Sequence, residues 1–339
     1  MRGVIMAEPG VVRTDERPDP TILEPTDAII KVTATCVCGS DLWPYRGVTG
    51  ADETPMGHEY VGVVEEVGAE VTRIKKGQFV VGSFFTSDNT CEICAAGYPS
   101  RCVRTQGMGG IGTQAEYARI PLADGTLVAT DSQPEPDLVP SLLAASDVLG
   151  TGWFGAEAAA VEPGKNVVVV GDGAVGLLAV LSAKQKGAER IVIMSRHADR
   201  QKLAREFGAT DVIEERGDEG VAAVKDLLGG LGAHSTIEAV GTTESMRQAI
   251  NATRAGGHVG FLGVGHEVQI PGRELFLAAV HLHGGPAPVR RYLPELIDLI
   301  QRREIDPGQV FDRVLPLEES AEAYAAMHER RNIKVLMQP

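Results

Sequence analysis

The chain has 339 residues, 43% of them hydrophobic and 23% charged, and carries a formal net charge of −14. That length exceeds one comfortable core, so two domains are expected, and the composition is that of an ordinary globular protein. The acidic balance argues against nucleic acid or an anionic membrane surface as the main partner. With no apolar run long enough to span a membrane and no signal core after Met1-Arg2-Gly3-Val4, a cytoplasmic protein is expected.

Residues 1–146 read as short strands broken by glycine and proline turns, with β-branched runs at Ala28–Val32 and Tyr60–Val64. The pattern changes after Asp147. Asn166–Val170 is a continuous apolar run that ends in glycines, as a buried parallel strand does. A small-residue helix, Ala174–Lys186, follows. Next come strand Arg190–Met194, helix Asp199–Phe207, a short strand at Asp211–Ile213 and helix Gly220–Leu228. Strand Ser235–Val240, helix Ser245–Arg254 and strand His258–Leu262 continue the alternation, which predicts a doubly wound α/β sheet. From Pro286 the pattern shifts to helix Tyr292–Arg303, the segment Asp312–Pro316, helix Leu317–Glu329 and strand Ile333–Met337. The outer segments, 1–147 and 286–339, are expected to form one domain, with the α/β unit, 148–285, inserted between them.

Gly171-Asp172-Gly173-Ala174-Val175-Gly176 lies between the first apolar strand and its helix, the setting in which a glycine fingerprint signals a dinucleotide. Gly171 permits the tight turn, Gly173 the approach of backbone to pyrophosphate, and Gly176 the packing of helix on strand. The helix N-terminus then faces the phosphates. An acid that would bind an NAD ribose belongs at the end of the second strand, which reads Met194-Ser195-Arg196-His197. A hydroxyl and a guanidinium there suit a 2′-phosphate, so NADP(H) is favoured over NAD(H).

Five cysteines fall in two clusters, Cys36/Cys38 and Cys91/Cys94/Cys102. An odd, clustered set suggests metal ligation under reducing conditions, not a disulfide framework. Cys38 and His58 are twenty residues apart and offer a thiolate and an imidazole to zinc.

Gly57-His58-Glu59-x-x-Gly62-x5-Gly68-x-x-Val71 matches the zinc alcohol dehydrogenase signature, and the chain resembles a zinc-dependent medium-chain dehydrogenase/reductase from end to end. The resemblance implies a GroES-like β-rich catalytic domain plus a Rossmann cofactor domain. It implies hydride transfer between a small alcohol or carbonyl substrate and NADP(H), with zinc polarising the substrate oxygen. Cys38, His58 and Asp147 are the implied ligands of the catalytic zinc, with Asp147 in a place where cysteine is common. Asp41 is implied to orient His58, and Ser40 to shuttle the proton. Trp43 stands where a relay histidine is usual and cannot relay. Glu59 reads either as a carboxylate that approaches zinc during ligand exchange or as a salt-bridged structural acid.

By family spacing, Asp88 completes a structural zinc lobe with Cys91, Cys94 and Cys102. Trp43, Phe84 and Trp153 read either as substrate-pocket walls or as core. Thr151 resembles a nicotinamide contact. Lys334 resembles a basic residue reaching the pyrophosphate, or else is a surface lysine. A homotetramer or homodimer is implied. Polyol, sugar and threonine dehydrogenases share this framework, as do zinc-free enone reductases. A non-catalytic nucleotide binder is the reading from another class, and the complete ligand set argues against it.

Overall fold

The computed structural model describes residues 1–50, 52–105 and 111–339 of the chain. It divides into two compact units, Met1–Gly150 with Pro288–Pro339, and Thr151–Ala287. In chain order the first unit opens with β1 (Arg2–Glu8), β2 (Val11–Glu16), β3 (Ala28–Cys36) and β4 (Thr54–Pro55). Then follow β5 (Tyr60–Val67), β6 (Phe79–Gly82), β7 (Tyr117–Ile120) and β8 (Leu127–Ala129). β1 lies between β2 and β4 in a small antiparallel sheet. β3 is the pivot of a larger one: β5 runs antiparallel along one edge, and β7 takes the first half of the other. Ile30, Val32, Tyr60, Val64, Val80, Ile120 and Leu127 close one core on this sheet. Each such apolar side chain contributes about 1.5–3 kcal/mol on burial.

Register decides what this sheet does. Thr35 of β3 pairs with Tyr60 of β5 in antiparallel sense. The residues just after β3, Val37 and Cys38, therefore come back to back with those just before β5, His58 and Glu59. Gly57 makes the approach possible. Its φ is +105°, and a Cβ there would collide with the backbone nitrogen of Gln114, so only glycine serves.

The second unit is a six-stranded sheet of β9 (Asn166–Val170), β10 (Arg190–Met194), β11 (Asp211–Ile213), β12 (Ala233–Glu238), β13 (Thr253–Phe261) and β14 (His281–Gly284). All neighbours pair parallel, in the order β11-β10-β9-β12-β13-β14. The four valines of β9 are fully buried, as a strand covered by helices on both faces requires. Strand order reverses between β9 and β12, and ligands bind such sheets at that switch point. Thr242 caps the helix Thr243–Ala252 in a capping box with Ser245. β14 was not expected, because His281-Leu282-His283-Gly284 has no β-branched residue or alternation to mark it.

After helix Val289–Gln301 the first unit is completed by β15 (Arg313–Pro316), helix Ser320–His328 and β16 (Val335–Gln338). The stretch expected as one helix from Leu317 begins instead as a 3₁₀ turn, Leu317–Glu319. β16 takes the second half of the free edge of β3, with Leu336 opposite Cys36. A second core, including Val4, Met6, Leu42, Tyr324, Val335 and Met337, fixes this closure.

Candidate active site

Cys38, His58, Glu59 and Asp147 are all buried, and one ligand atom from each lies within 4.8 Å of every other. Asp147 Oδ2 stands 3.7 Å from Cys38 Sγ and 3.4 Å from His58 Nε2. Tetrahedral zinc, with bonds of about 2.3 Å to sulfur and about 2.1 Å to nitrogen or oxygen, would set these separations at about 3.6 and about 3.4 Å. Both separations from Asp147 match those of ligands on one zinc ion, and the donor chemistry suits that metal. Asp41 Oδ1 lies 3.3 Å from His58 Nδ1. Its Oδ2 accepts from Cys38 N–H at 3.0 Å and Gln114 Nε2 at 3.1 Å. An acceptor at Nδ1 leaves the Nε2 lone pair for metal.

The electrostatics call for a cation. Burial raises the Cys38 thiol to about 11, reinforced by the charges of Glu59 and Asp147. Burial works against a charged His58, yet Asp41, Cys38 and Asp147 push its pKa well above the ordinary imidazole value. Ligation needs Cys38 as thiolate and His58 neutral, so both would give up a proton as a metal enters.

Lys334 requires a correction. It is neither at a phosphate site nor on the surface: it is 1% exposed, and its Nζ donates to Glu59 Oε1 at 2.7 Å and to the Val37 carbonyl at 3.1 Å. The register of β16 on β3 carries it there. Glu59, with no exposed surface, also accepts from Cys36 Sγ at 3.2 Å. Glu59 is thus both a member of the donor cluster and a salt-bridged acid, and Cys36 gains a defined partner.

Asp88, Cys91, Cys94 and Cys102 form the second group of metal donors. Cys102 and Cys94 lie 3.3 and 3.6 Å from Asp88 Oδ1, and Cys91 lies 3.4 Å from Cys94. Tetrahedral zinc expects about 3.6 Å between sulfur and oxygen and about 3.8 Å between sulfurs. Burial opposes ionisation of Asp88, but the backbone N–H of Thr90, the Cys102 thiol and the Cys91 N–H hold its carboxyl at about 2. Backbone N–H groups of Val103 and Cys94 lower Cys91 to about 7, whereas burial lifts Cys94 to about 12.

At the nucleotide loop, Gly171 has φ +115° and a Cβ on Gly176 would strike the Gly171 carbonyl, so both positions need glycine. A Cβ on Gly173 would meet nothing within 4 Å, which is the open space a diphosphate needs. Ala174 and Val175 begin the helix that faces it. The tip of β10 differs from the sequence reading in one respect. Ser195 is fully buried and donates its hydroxyl to Asp172 Oδ2 at 2.7 Å, so that hydrogen is not offered to a phosphate. His197 Nδ1 meets the same oxygen at 2.8 Å, and Arg200 approaches Asp172 Oδ1 at 3.4 Å. Arg196 is exposed, and its Nε donates to the Glu214 carbonyl at 2.8 Å. Sequence reasoning passed over Asp172. The signal was a carboxylate inside the glycine fingerprint, where a small or apolar residue would serve the turn.

Phe84 is buried, with its ring edge-on to His58 at 6.2 Å, and walls the metal site. A cavity of about 260 Å³ opens beside Ser40 and His58, bordered also by Pro44, Thr49, Met56 and Gly57. Ser40 Oγ is 3.4 Å from His58 Nε2. Trp43 sits half-buried on the short helix Leu42–Tyr45 and does not border this cavity. In the other unit Trp153 is buried with the Lys186 ammonium 5.0 Å over its ring, a packing environment. Thr151 opens that unit. A larger hollow, about 660 Å³, is lined by Gly164, Asn166, Glu189 and His234, at the wrong end of a parallel sheet for a nucleotide.

Comparison with known proteins agrees with both units. Residues 24–131 match the alcohol dehydrogenase GroES-like domain, and residues 174–302 match the zinc-binding dehydrogenase family. The chain is similar to a zinc-type alcohol dehydrogenase B of Aspergillus flavus, at 34% identity over 99% of this chain and 81% of that protein. It is similar to a probable zinc-binding alcohol dehydrogenase of Mycobacterium tuberculosis, at 36% identity over 97% of this chain and 86% of the relative. Among solved structures, the alcohol dehydrogenase TADH of Thermus sp. ATN1 superposes with a TM-score of 0.90 at 28% identity, covering 100% of this chain and 99% of the other. The chain belongs to the zinc-dependent alcohol dehydrogenase family of medium-chain dehydrogenases/reductases, oxidoreductases that use a nicotinamide cofactor.

Proposed function

We propose that this family member interconverts alcohols with aldehydes or ketones using NADP(H). Cys38, His58 and Asp147 would hold the catalytic zinc, and Asp88, Cys91, Cys94 and Cys102 a structural one. Bound zinc supplies a Lewis acid that polarises the substrate oxygen, and the nicotinamide carries the hydride. Within the chain, Asp41 holds His58 in the metal-binding tautomer. Ser40 Oγ, beside His58, relays the hydroxyl proton of an alcohol, accepting it while giving up its own. With Trp43 in place of a relay histidine, that proton leaves by water in the cavity next to Ser40.

The observation that carries the NADP(H) reading is the tip of β10, where the exposed side chains are Arg196 and His197. The buried Asp172 favours a second reading, NAD(H), because a carboxylate near this strand end is where a ribose hydroxyl binds. Its oxygens already accept from Ser195, His197 and Arg200, which supports the first reading. The test is kcat/KM with NADPH and NADH for wild type and Arg196→Ala. Loss of hydrogen bonds to a phosphate should lower the NADPH value about tenfold or more and leave NADH within about twofold. Equal losses would refute the phosphate assignment, and absence of bound zinc and turnover would refute the whole reading. Polyol and sugar substrates belong in the same panel.

A homo-oligomer is part of the proposal. β14 is a sheet edge, and Phe276 and Leu277 on helix Gly272–Ala278 are exposed, a pairing of open edge and apolar surface that suits a second copy. A cytoplasmic setting is proposed from the unpaired, clustered cysteines; among the described residues no helix is long and apolar enough to cross a membrane.

A further inference from the structure

We propose that Asp172 is a positioning residue for recognition of the cofactor's adenosine 2′-phosphate, acting by clamping His197. This inference rests on the NADP(H) reading and identifies how the chain builds that subsite. Three groups from the tip of β10 and the following helix converge on the Asp172 carboxylate. Ser195 Oγ and His197 Nδ1 reach Oδ2 at 2.7 and 2.8 Å, and Arg200 reaches Oδ1 at 3.4 Å and the Asp172 carbonyl at 3.3 Å. An ionised carboxylate only accepts, so Ser195 and His197 must both be donors here. Burial resists the charge, but the hydrogen bonds from His197 and Ser195 and the guanidinium of Arg200 outweigh it and lower the Asp172 pKa.

The consequence falls on His197. With Nδ1–H committed to Asp172, Nε2 is the ring nitrogen left for a ligand, on a side chain that is 44% exposed while its anchor is 9% exposed. A buried acid holding an exposed imidazole by one nitrogen is how a histidine is oriented toward something outside the protein. Beside it stands the exposed Arg196, steadied through Nε by the Glu214 carbonyl. A phosphate monoester is mostly dianionic near neutrality and offers only acceptor oxygens, so the contact needs a hydrogen on Nε2 as well, with the ring held as a double donor between Asp172 and the phosphate. The arrangement favours a phosphate over a ribose hydroxyl. The exposed groups at this strand tip, Arg196 and His197, bring N–H donors, whereas the Asp172 carboxylate is 9% exposed.

The experiment measures NADPH and NADH dissociation constants by nucleotide fluorescence for wild type, Asp172→Asn, His197→Ala and the double variant, with melting temperatures alongside. Asp172→Asn should raise the NADPH constant about tenfold and the NADH constant less than about twofold, as should His197→Ala. The double variant should be no weaker than His197→Ala alone, because both changes remove one contact. Equal or larger loss for NADH in Asp172→Asn would overturn the inference and make Asp172 a ribose ligand. Additive losses would also overturn it. If Asp172→Asn does not fold, His197→Ala on the intact loop decides by the same NADPH-selective loss. A wild type without preference for NADPH sinks the NADP(H) reading together with this inference. A wild-type preference that survives in both single variants sinks the inference alone.

Discussion

Asp41→Asn should weaken zinc binding nearly as much as Asp41→Ala while leaving the fold far more stable. Asp41 is 5% exposed and accepts from three buried donors: Cys38 N–H, Gln114 Nε2 and His58 Nδ1. Alanine orphans all three, and each buried donor left unsatisfied costs about 1–3 kcal/mol. Asparagine retains one carbonyl oxygen. Two donors converge on the Oδ2 side, so that oxygen turns to them and the NH₂ faces His58. The imidazole must then accept at Nδ1 and carry its hydrogen on Nε2, the nitrogen that zinc needs. Loss of such a partner lowers metal affinity by about 10–100-fold, or about 1.4–2.7 kcal/mol. Competition with a chromogenic chelator, together with urea unfolding of the metal-free proteins, separates the two quantities. Wild-type zinc affinity in Asp41→Asn, within about twofold, would refute the tautomer argument.

Three other outcomes follow from the same geometry. Lys334→Met strands the buried Glu59 charge and should cost about 3–5 kcal/mol in urea unfolding, and Lys334→Met/Glu59→Gln should recover much of it; simple additivity would show that the pair is not coupled. Cys91 is held at about 7 and Cys94 at about 12. A lowered thiol pKa means thiolate accumulates from neutral pH upward and is lost below it. Alkylation of metal-free protein, mapped by mass spectrometry, should therefore mark Cys91 first, with half-maximal rate near that pKa and protection by zinc. Uniform labelling of Cys91, Cys94 and Cys102 would contradict the assignment. Phe276→Glu should shift the molecular mass in light scattering toward the monomer, and an unchanged mass would place the subunit contact elsewhere.

Much of the architecture was legible because its signals are local. The valines of β9 announce a doubly covered strand, and the glycines after it can serve little except a close turn. The family's lobe spacing pointed to Asp88 beside the three cysteines, and the four residues, which span only fifteen positions from Asp88 to Cys102, do come together. β14 escaped because an edge strand of histidine and glycine has neither alternation nor β-branching to declare it. Lys334 was misplaced because its partner, Glu59, lies 275 positions away, and nothing near Lys334 in the chain foretells burial.

The chemistry of the donors, thiolate, imidazole and carboxylate, was determined by residue type and needed no coordinates. Their convergence was decided by register. β3 against β5 brings Cys38 to His58, and β16 against β3 brings Lys334 to Glu59. The same division holds at the nucleotide loop. Residue types put a hydroxyl, a guanidinium and an imidazole at the tip of β10, but only the parallel pairing of β9 with β10 put the Asp172 carboxylate among them. Side-chain identity sets which bonds a residue can make; strand pairing sets which partners come within hydrogen-bonding reach, about 3 Å.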